Sequence, residues 1–187
     1  MNLPNVISLA RLCSVPVIIW LIINDRMAAA FWLVLAAGIS DAVDGAIAKQ
    51  FDMETVLGKY LDPIADKALL ICTYIALGHQ EYVPQWLVIG VVFRDVLIIG
   101  GAMSYHIMTD ALTMHPIMIS KINTAAQLVL AVEILASEGL GFDLDGYRSM
   151  MIIAVAITTF LSGASYIVIW TRKASAGEMA RVEKEKE

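Results

Sequence analysis

Long apolar runs alternate with short polar breaks along the whole chain, the pattern of helices that cross a membrane several times. The runs predict six helices, near Ile7–Ile23, Met27–Ala48, Leu57–His79, Val83–Ile107, Ile117–Leu135 and Met150–Thr171. Only the last is unbroken: Ser149 to Thr171 is 23 residues without a charge. The other five carry charged side chains inside their apolar stretches, and those interruptions hold the chemistry. A membrane-spanning helix takes about 20 residues, so 187 residues hold six spans and leave no room for a separate soluble domain. The expected fold is an all-α integral membrane protein with six transmembrane helices. It forms one domain over residues 1–173, followed by a charged tail over 174–187. The Pro4-Asn5 pair is expected to open a short entry segment at the membrane surface. No basic region precedes the first apolar run and no small-residue cleavage pattern follows it. Met1–Ile23 therefore reads as a retained helix and not as a signal peptide.

Charge sets the orientation. With six spans, one side collects Arg11, Lys49, Lys59, Lys121, Arg172, Lys173, Arg181, Lys184 and Lys186, against Arg26 and Arg148 on the other. The termini are thus expected on the cytoplasmic side, or on the matrix side in an organelle. A bacterial inner membrane is the favoured location and a mitochondrial inner membrane the alternative. Composition agrees: 59% of residues are hydrophobic and 17% charged, outside the range of soluble domains. The net charge of −5 excludes a general nucleic-acid binder. Cys13 and Cys72 both lie in apolar stretches and read as packing residues, which supports neither a disulfide framework nor a thiolate metal site.

The second run ends, and the third begins, with acids. Asp41 and Asp44 are three positions apart on one helix, and Asp62 and Asp66 four apart on the next, so each pair shares a helical face. Counted from Lys49 and from Gly58, Asp41 and Asp66 both lie about 12 Å into their helices, at 1.5 Å per residue. Left ionised in hydrocarbon, such groups would cost several kcal/mol each, so they must face a polar cavity and be neutralised. Lys49, Lys59 and Lys67 could do part of this. Two divalent ions do it better, because an all-oxygen ligand set suits Mg²⁺ or Mn²⁺ and such a pair can clamp a phosphoryl group. Gly45 and Gly58 fit this picture, since a missing side chain lets a bulky ligand approach the backbone. The plainer alternative, solvated helix ends bridged to lysine, fits poorly with four acids placed deep in two apolar helices.

The stretch Asp41-x2-Asp44-Gly45-x2-Ala48-Lys49-x8-Gly58-x3-Asp62-x3-Asp66 resembles the signature of the CDP-alcohol phosphatidyltransferases, eight fixed positions across 26 residues. One position departs, with Lys49 standing where the family has arginine. The resemblance implies a six-helix membrane fold, usually a homodimer, that displaces CMP from CDP-diacylglycerol with the hydroxyl of an acceptor alcohol. It implies that Asp41, Asp44, Asp62 and Asp66 hold the metals, Asp66 also being the candidate general base. Asp44, Gly45, Ala48, Lys49 and Gly58 would then bind the CDP group. Lysine supplies the charge of the missing arginine but not its bidentate fork.

Acceptor residues are sought in the second half. Arg94-Asp95 interrupts the fourth run, and the fifth begins Ser120-Lys121-Ile122-Asn123-Thr124. Arg94, Lys121 and Asn123 are the candidates for an anionic lipid acceptor. An ion pair between Arg94 and Asp95, and a Lys121 that merely reaches the interface, are the competing readings. These stretches are similar to those of the eukaryotic-type cardiolipin synthases. Phosphatidylglycerophosphate synthases typically show a second arginine a turn or two later, where this chain has Gly100-Gly101-Ala102-Met103. The resemblance thus favours phosphatidylglycerol as acceptor, giving cardiolipin, over glycerol 3-phosphate. A cation transporter or channel with intramembrane carboxylates is the reading from another class, and a non-catalytic membrane scaffold a further one.

Overall fold

The structure is a computed structural model that describes the backbone of residues 3–50, 56–109, 118–142 and 145–184, with side chains for 7–40, 64–101, 118–142 and 146–171. All its regular elements are helices: α1 (Leu3–Ile23), α2 (Met27–Gln50), α3 (Val56–His79), α4 (Gln85–Thr109), α5 (Met118–Leu140) and α6 (Asp145–Lys184). Each expected apolar run falls within one of them or overlaps it closely. The helix begins by Leu3, so Pro4 lies in its first turn, where a missing N–H costs no helical bond. Val83 precedes α4 because the residue before a proline is kept out of the helical region, and the Pro84 carbonyl instead accepts the first bonds, from Leu87 and Val88 N–H. The helix α6 runs past Thr171 to Lys184 without a break at residue 173, through a segment rich in alanine, glutamate, lysine and arginine, all strong helix formers.

Three short turns join α1 to α2, α3 to α4 and α5 to α6, each helix pair packing together. Asp25, Glu81 and Gly141, with φ of 55°, 64° and 75°, let the chain reverse there. The turns lie together at one end. The Gln80 amide Nε2 donates to the Ile22 carbonyl at 3.3 Å and to Asp25 Oδ1 at 3.1 Å, tying the first two turns. Gly139, near the end of α5, lies directly against the backbone of Met27 and Ala28 at the start of α2. Packing runs from α1 to α3, α3 to α4, α4 to α6, α6 to α5, α5 to α2 and α2 back to α1, so that the six helices close a ring, with α3 also meeting α5 across it.

The core changes character along the bundle axis. Near the turns it is apolar: Ile18, Ile22, Leu77, Leu87, Leu130 and Ile134 are all buried. Towards the other end the same buried stripes become polar, through Ser8 and Arg11 on α1, Arg94 and Asp95 on α4, Asn123 and Gln127 on α5, and Thr159 and Ser162 on α6. The outer surface is the reverse of a soluble protein's, with Ile89, Phe93, Met150, Phe160 and Val168 among its exposed residues. Among the described residues, Met118–Leu140 and Gly146–Thr171 are long and apolar enough to cross a membrane, while Ile7–Ile23 and Met27–Ser40 are shorter apolar helices. Cys13 is exposed on this surface and Cys72 half-buried; both are free thiols.

Candidate active site

The polar end of the bundle is where the acid-bearing segments of α2 and α3 terminate. The backbone of α2 stays helical through Gln50 and that of α3 from Val56, so Asp41 and Asp44, and likewise Asp62 and Asp66, keep the helical spacing their sequence implies. The side chains of Asp41, Asp44, Gly45, Ala48, Lys49, Gly58 and Asp62 lie outside the described residues.

Asp66 is described, and it shows what this position requires. Its Oδ1 accepts a charge-assisted hydrogen bond from Nη1 of Arg11 on α1. Arg11 is 4% exposed, held on the buried stripe one turn beyond Ser8. The desolvated partner is Arg11, whose buried charge is compensated by the half-exposed carboxylate. In the sequence, Arg11 counts toward orientation and belongs to the stretch that carries the resemblance, without a role in the site. The signal that could have found it is an arginine on the same stripe as Val15, Ile18 and Ile22, in a helix otherwise apolar.

One residue along α3 lies the second polar group of the site. Lys67 Nζ donates to Asp95 Oδ1 of α4 at 2.8 Å and to Thr124 Oγ1 of α5 at 3.4 Å. The same Asp95 oxygen accepts from Nη1 of Arg94. Arg94 is 2% exposed, and its other two guanidinium nitrogens also bond to protein. Nε bonds Ser162 Oγ of α6 at 3.0 Å, and Nη2 bonds Ser120 Oγ of α5 and Ser162 Oγ. Asp95 and Arg94 thus join α3, α4, α5 and α6 at one level. The structure makes the Arg94–Asp95 ion pair that the sequence left as a competing reading. With all three guanidinium nitrogens engaged, an acceptor would reach Arg94 through the second Nη1 N–H or by exchange of one of these bonds.

Asn123 is fully buried, its Oδ1 accepting from Thr158 at 2.8 Å and Thr159 at 2.9 Å. Its Nδ2, both side-chain polar atoms of Gln127, and Asp95 Oδ2 are buried with no hydrogen-bond partner among the described residues. Lys121 is exposed, the one of the three acceptor candidates that faces outward. On α3, Tyr74 donates from its hydroxyl to the Gln127 carbonyl at 3.0 Å, closing the lower edge of the polar layer.

The four carboxylates of the signature, with no His or Cys among them, are a donor set whose chemistry fits a hard divalent cation. The cation already drawn to Asp66 is consistent with that demand. Because three of the four acids lie outside them, the described residues hold no cluster of three or more His, Cys, Asp or Glu side chains.

Comparison with known proteins defines the class. The sequence profile of the CDP-alcohol phosphatidyltransferase family matches residues 1–163. A protein of Oryza sativa subsp. japonica named CDP-diacylglycerol--glycerol-3-phosphate 3-phosphatidyltransferase 1, chloroplastic, is 35% identical over 184 residues, 89% of this chain and 56% of its own length. A Schizosaccharomyces pombe protein named as a cardiolipin synthase (CMP-forming) / mitochondrial hydrolase fusion is 37% identical over 183 residues, 89% of this chain and 31% of its own. A Rickettsia typhi protein named CDP-diacylglycerol--glycerol-3-phosphate 3-phosphatidyltransferase is 32% identical over 170 residues, 88% of this chain and 94% of its own. The chain thus spans about half or less of the length of the first two relatives, and nearly all of the third. It belongs to the CDP-alcohol phosphatidyltransferase family, a membrane-bound, generally divalent-metal-dependent family that transfers phosphatidyl groups from CDP-diacylglycerol.

Proposed function

We propose that this protein transfers the phosphatidyl group of CDP-diacylglycerol to an alcohol and releases CMP, with phosphatidylglycerol as acceptor and cardiolipin as product. The observation that carries the reading is the position of Asp66. The last carboxylate of the signature stands at the polar end of the core, one residue from the lysine that leads into the cationic second half. Asp41, Asp44, Asp62 and Asp66 would hold two divalent ions, Mg²⁺ or Mn²⁺. These would spread charge from the attacked phosphorus and ease departure of CMP. Asp44, Gly45, Ala48, Lys49 and Gly58 would seat the CDP group. The acceptor oxygen forms a bond to the phosphatidyl phosphorus, the bond from that phosphorus to the CMP oxygen breaks, and the acceptor proton passes to Asp66.

Arg94, Lys121 and Asn123 belong to the acceptor side in different ways. Lys121 is exposed and available to a phosphate, while Arg94 and Asn123 shape the wall behind it. With the Arg94 donors already engaged and no second arginine beside it, this side suits a monoanionic phosphodiester better than a dianionic phosphate. Glycerol 3-phosphate is the second reading, favoured by the names of the rice and Rickettsia relatives.

The same reading embeds all six helices, with both termini and the active site on the cytoplasmic face of a bacterial inner membrane, in a homodimer whose domain ends near residue 173. The apolar outer surface supports this. So do Trp20, Trp32, Trp86 and Tyr147, all exposed and all near the end that carries the three turns, as an interfacial aromatic belt would be. The test is CMP release by purified protein with CDP-diacylglycerol, Mg²⁺ or Mn²⁺, and each acceptor in turn, with the lipid product identified. Cardiolipin formed only with phosphatidylglycerol is expected, and EDTA should abolish it. Phosphatidylglycerophosphate would transfer the assignment to the second reading. Release unaffected by chelation would refute the metal role.

A further inference from the structure

Asp95 has no part in the signature and lies in a different helix, yet it is fully buried and its Oδ1 takes two cations from two helices. One is Lys67, the neighbour of Asp66 on α3; the other is Arg94, which is fastened to α5 through Ser120 and to α6 through Ser162. Lys67 also reaches Thr124 on α5. On the far side, Asp66 is drawn to Arg11 of α1. At the level of the last signature carboxylate, α3 is therefore held from two directions by charge-assisted bonds from its half-exposed Asp66 and part-buried Lys67 to the buried Arg11 and Asp95, bonds that are strong and oriented. Below that level its contacts are apolar, apart from the Tyr74 bond to the Gln127 carbonyl and the Thr73 bond within α3 itself. A helix packed through smooth aliphatic contacts can slide or rotate more easily than one pinned by a buried carboxylate.

We propose that Asp95 is a positioning residue: through Lys67 it fixes the carboxylate helix α3 against the α4–α5–α6 wall, and so sets the distance between Asp66 and the bound acceptor. The inference rests on the phosphatidyl-transfer reading for its kinetic consequence, but not for its geometry. Loss of the tether should leave the CDP group, gripped by residues of α2 and α3, largely unaffected. It should misplace the acceptor hydroxyl, because the acceptor is held by the other half of the bundle. Displacements of about 1 Å at a reacting centre can cost on the order of 100-fold in rate.

The test uses the full chain in detergent or nanodiscs, comparing Lys67→Met, Lys67→Arg and Asp95→Asn with wild type. Lys67→Met keeps the Arg94–Asp95 pair and should fold; Asp95→Asn leaves two buried cations uncompensated, so the lysine variants keep the proposal testable if it does not. CMP release is measured while CDP-diacylglycerol and the acceptor are varied separately. In Lys67→Met, kcat/KM for the acceptor should fall about 10-fold or more, with KM for CDP-diacylglycerol within about 2-fold of wild type, and Lys67→Arg should recover most of the loss. Equal losses toward both substrates, no loss, or no recovery with arginine would overturn it. A second readout needs no activity: spin labels at exposed Ile64 on α3 and Ile122 on α5, with Cys13 and Cys72 replaced, report the spacing between the two halves. The distance distribution should broaden in Lys67→Met and not in Lys67→Arg, and an unchanged distribution would overturn the tether. Wild-type protein that releases no CMP with either acceptor defeats the phosphatidyl-transfer reading instead, and the label distances then decide the tether alone.

Discussion

Asp66 and Gln127 represent two ways in which a polar group is tolerated in this bundle, one half-exposed and one buried. Asp66 sits beside a guanidinium and is the base in the proposed reaction; Gln127 is fully buried with neither amide atom paired among the described residues. Asp66→Asn keeps the shape and removes the base. Turnover should drop by about 10²–10⁴-fold, while metal-dependent binding of CDP-diacylglycerol, followed by calorimetry, stays close to wild type. Loss of binding instead would make Asp66 chiefly a metal ligand. At Gln127 the expected effect is on stability. Gln127→Met is nearly the same size and deletes two unsatisfied groups, each costing about 1–3 kcal/mol when buried unpaired, so the thermal midpoint in detergent should rise. A lowered midpoint would mean that ordered water satisfies the amide. The roles of single residues were only partly legible in the sequence. That Arg94 would be buried followed from its place in an apolar run. That Ser120 and Ser162 would join Asp95 in engaging its three nitrogens did not, because those two serines come from other helices.

Among the helices, the end of α5 and the start of α2 approach each other backbone to backbone. A Cβ built on Gly139 would stand 2.5 Å from the Ala28 nitrogen and 2.7 Å from its Cα, and backbone cannot yield as a side chain can. Gly139→Ala should therefore destabilise the protein by about 1–3 kcal/mol, read as a lower unfolding midpoint. Gly38 provides the control. It lies inside α2 with nothing within 4 Å of an added Cβ, so Gly38→Ala should be neutral or stabilise by up to about 1 kcal/mol through helix propensity. The helices were the most legible level of all. Apolar runs and short polar breaks located all six because helix formation in such segments is local. Only the ends moved, at Pro84 for a steric reason and beyond Thr171 because polar helix formers continue the backbone where hydropathy stops.

For the whole molecule the testable quantity is topology. Single cysteines placed at Asn24 and Glu81, in a background without Cys13 and Cys72, should react with a membrane-impermeant thiol reagent added outside intact cells. A cysteine in the α2–α3 connection should react only after permeabilisation. The opposite pattern would invert the orientation and put the active site on the outer face. The sequence by itself determined the helices, the apolar character of the chain and the carboxylate pattern, because each depends on residues near one another along the chain. Which helices touch, how the ring closes, and which cation meets which carboxylate were decided only by the tertiary structure. Arg11 and Asp66 are 55 positions apart, Lys67 and Asp95 28, and Arg94 and Ser162 68. No local propensity brings such pairs together. They meet because buried charges must be compensated, and the packing of the helices brings these partners to one level of the bundle.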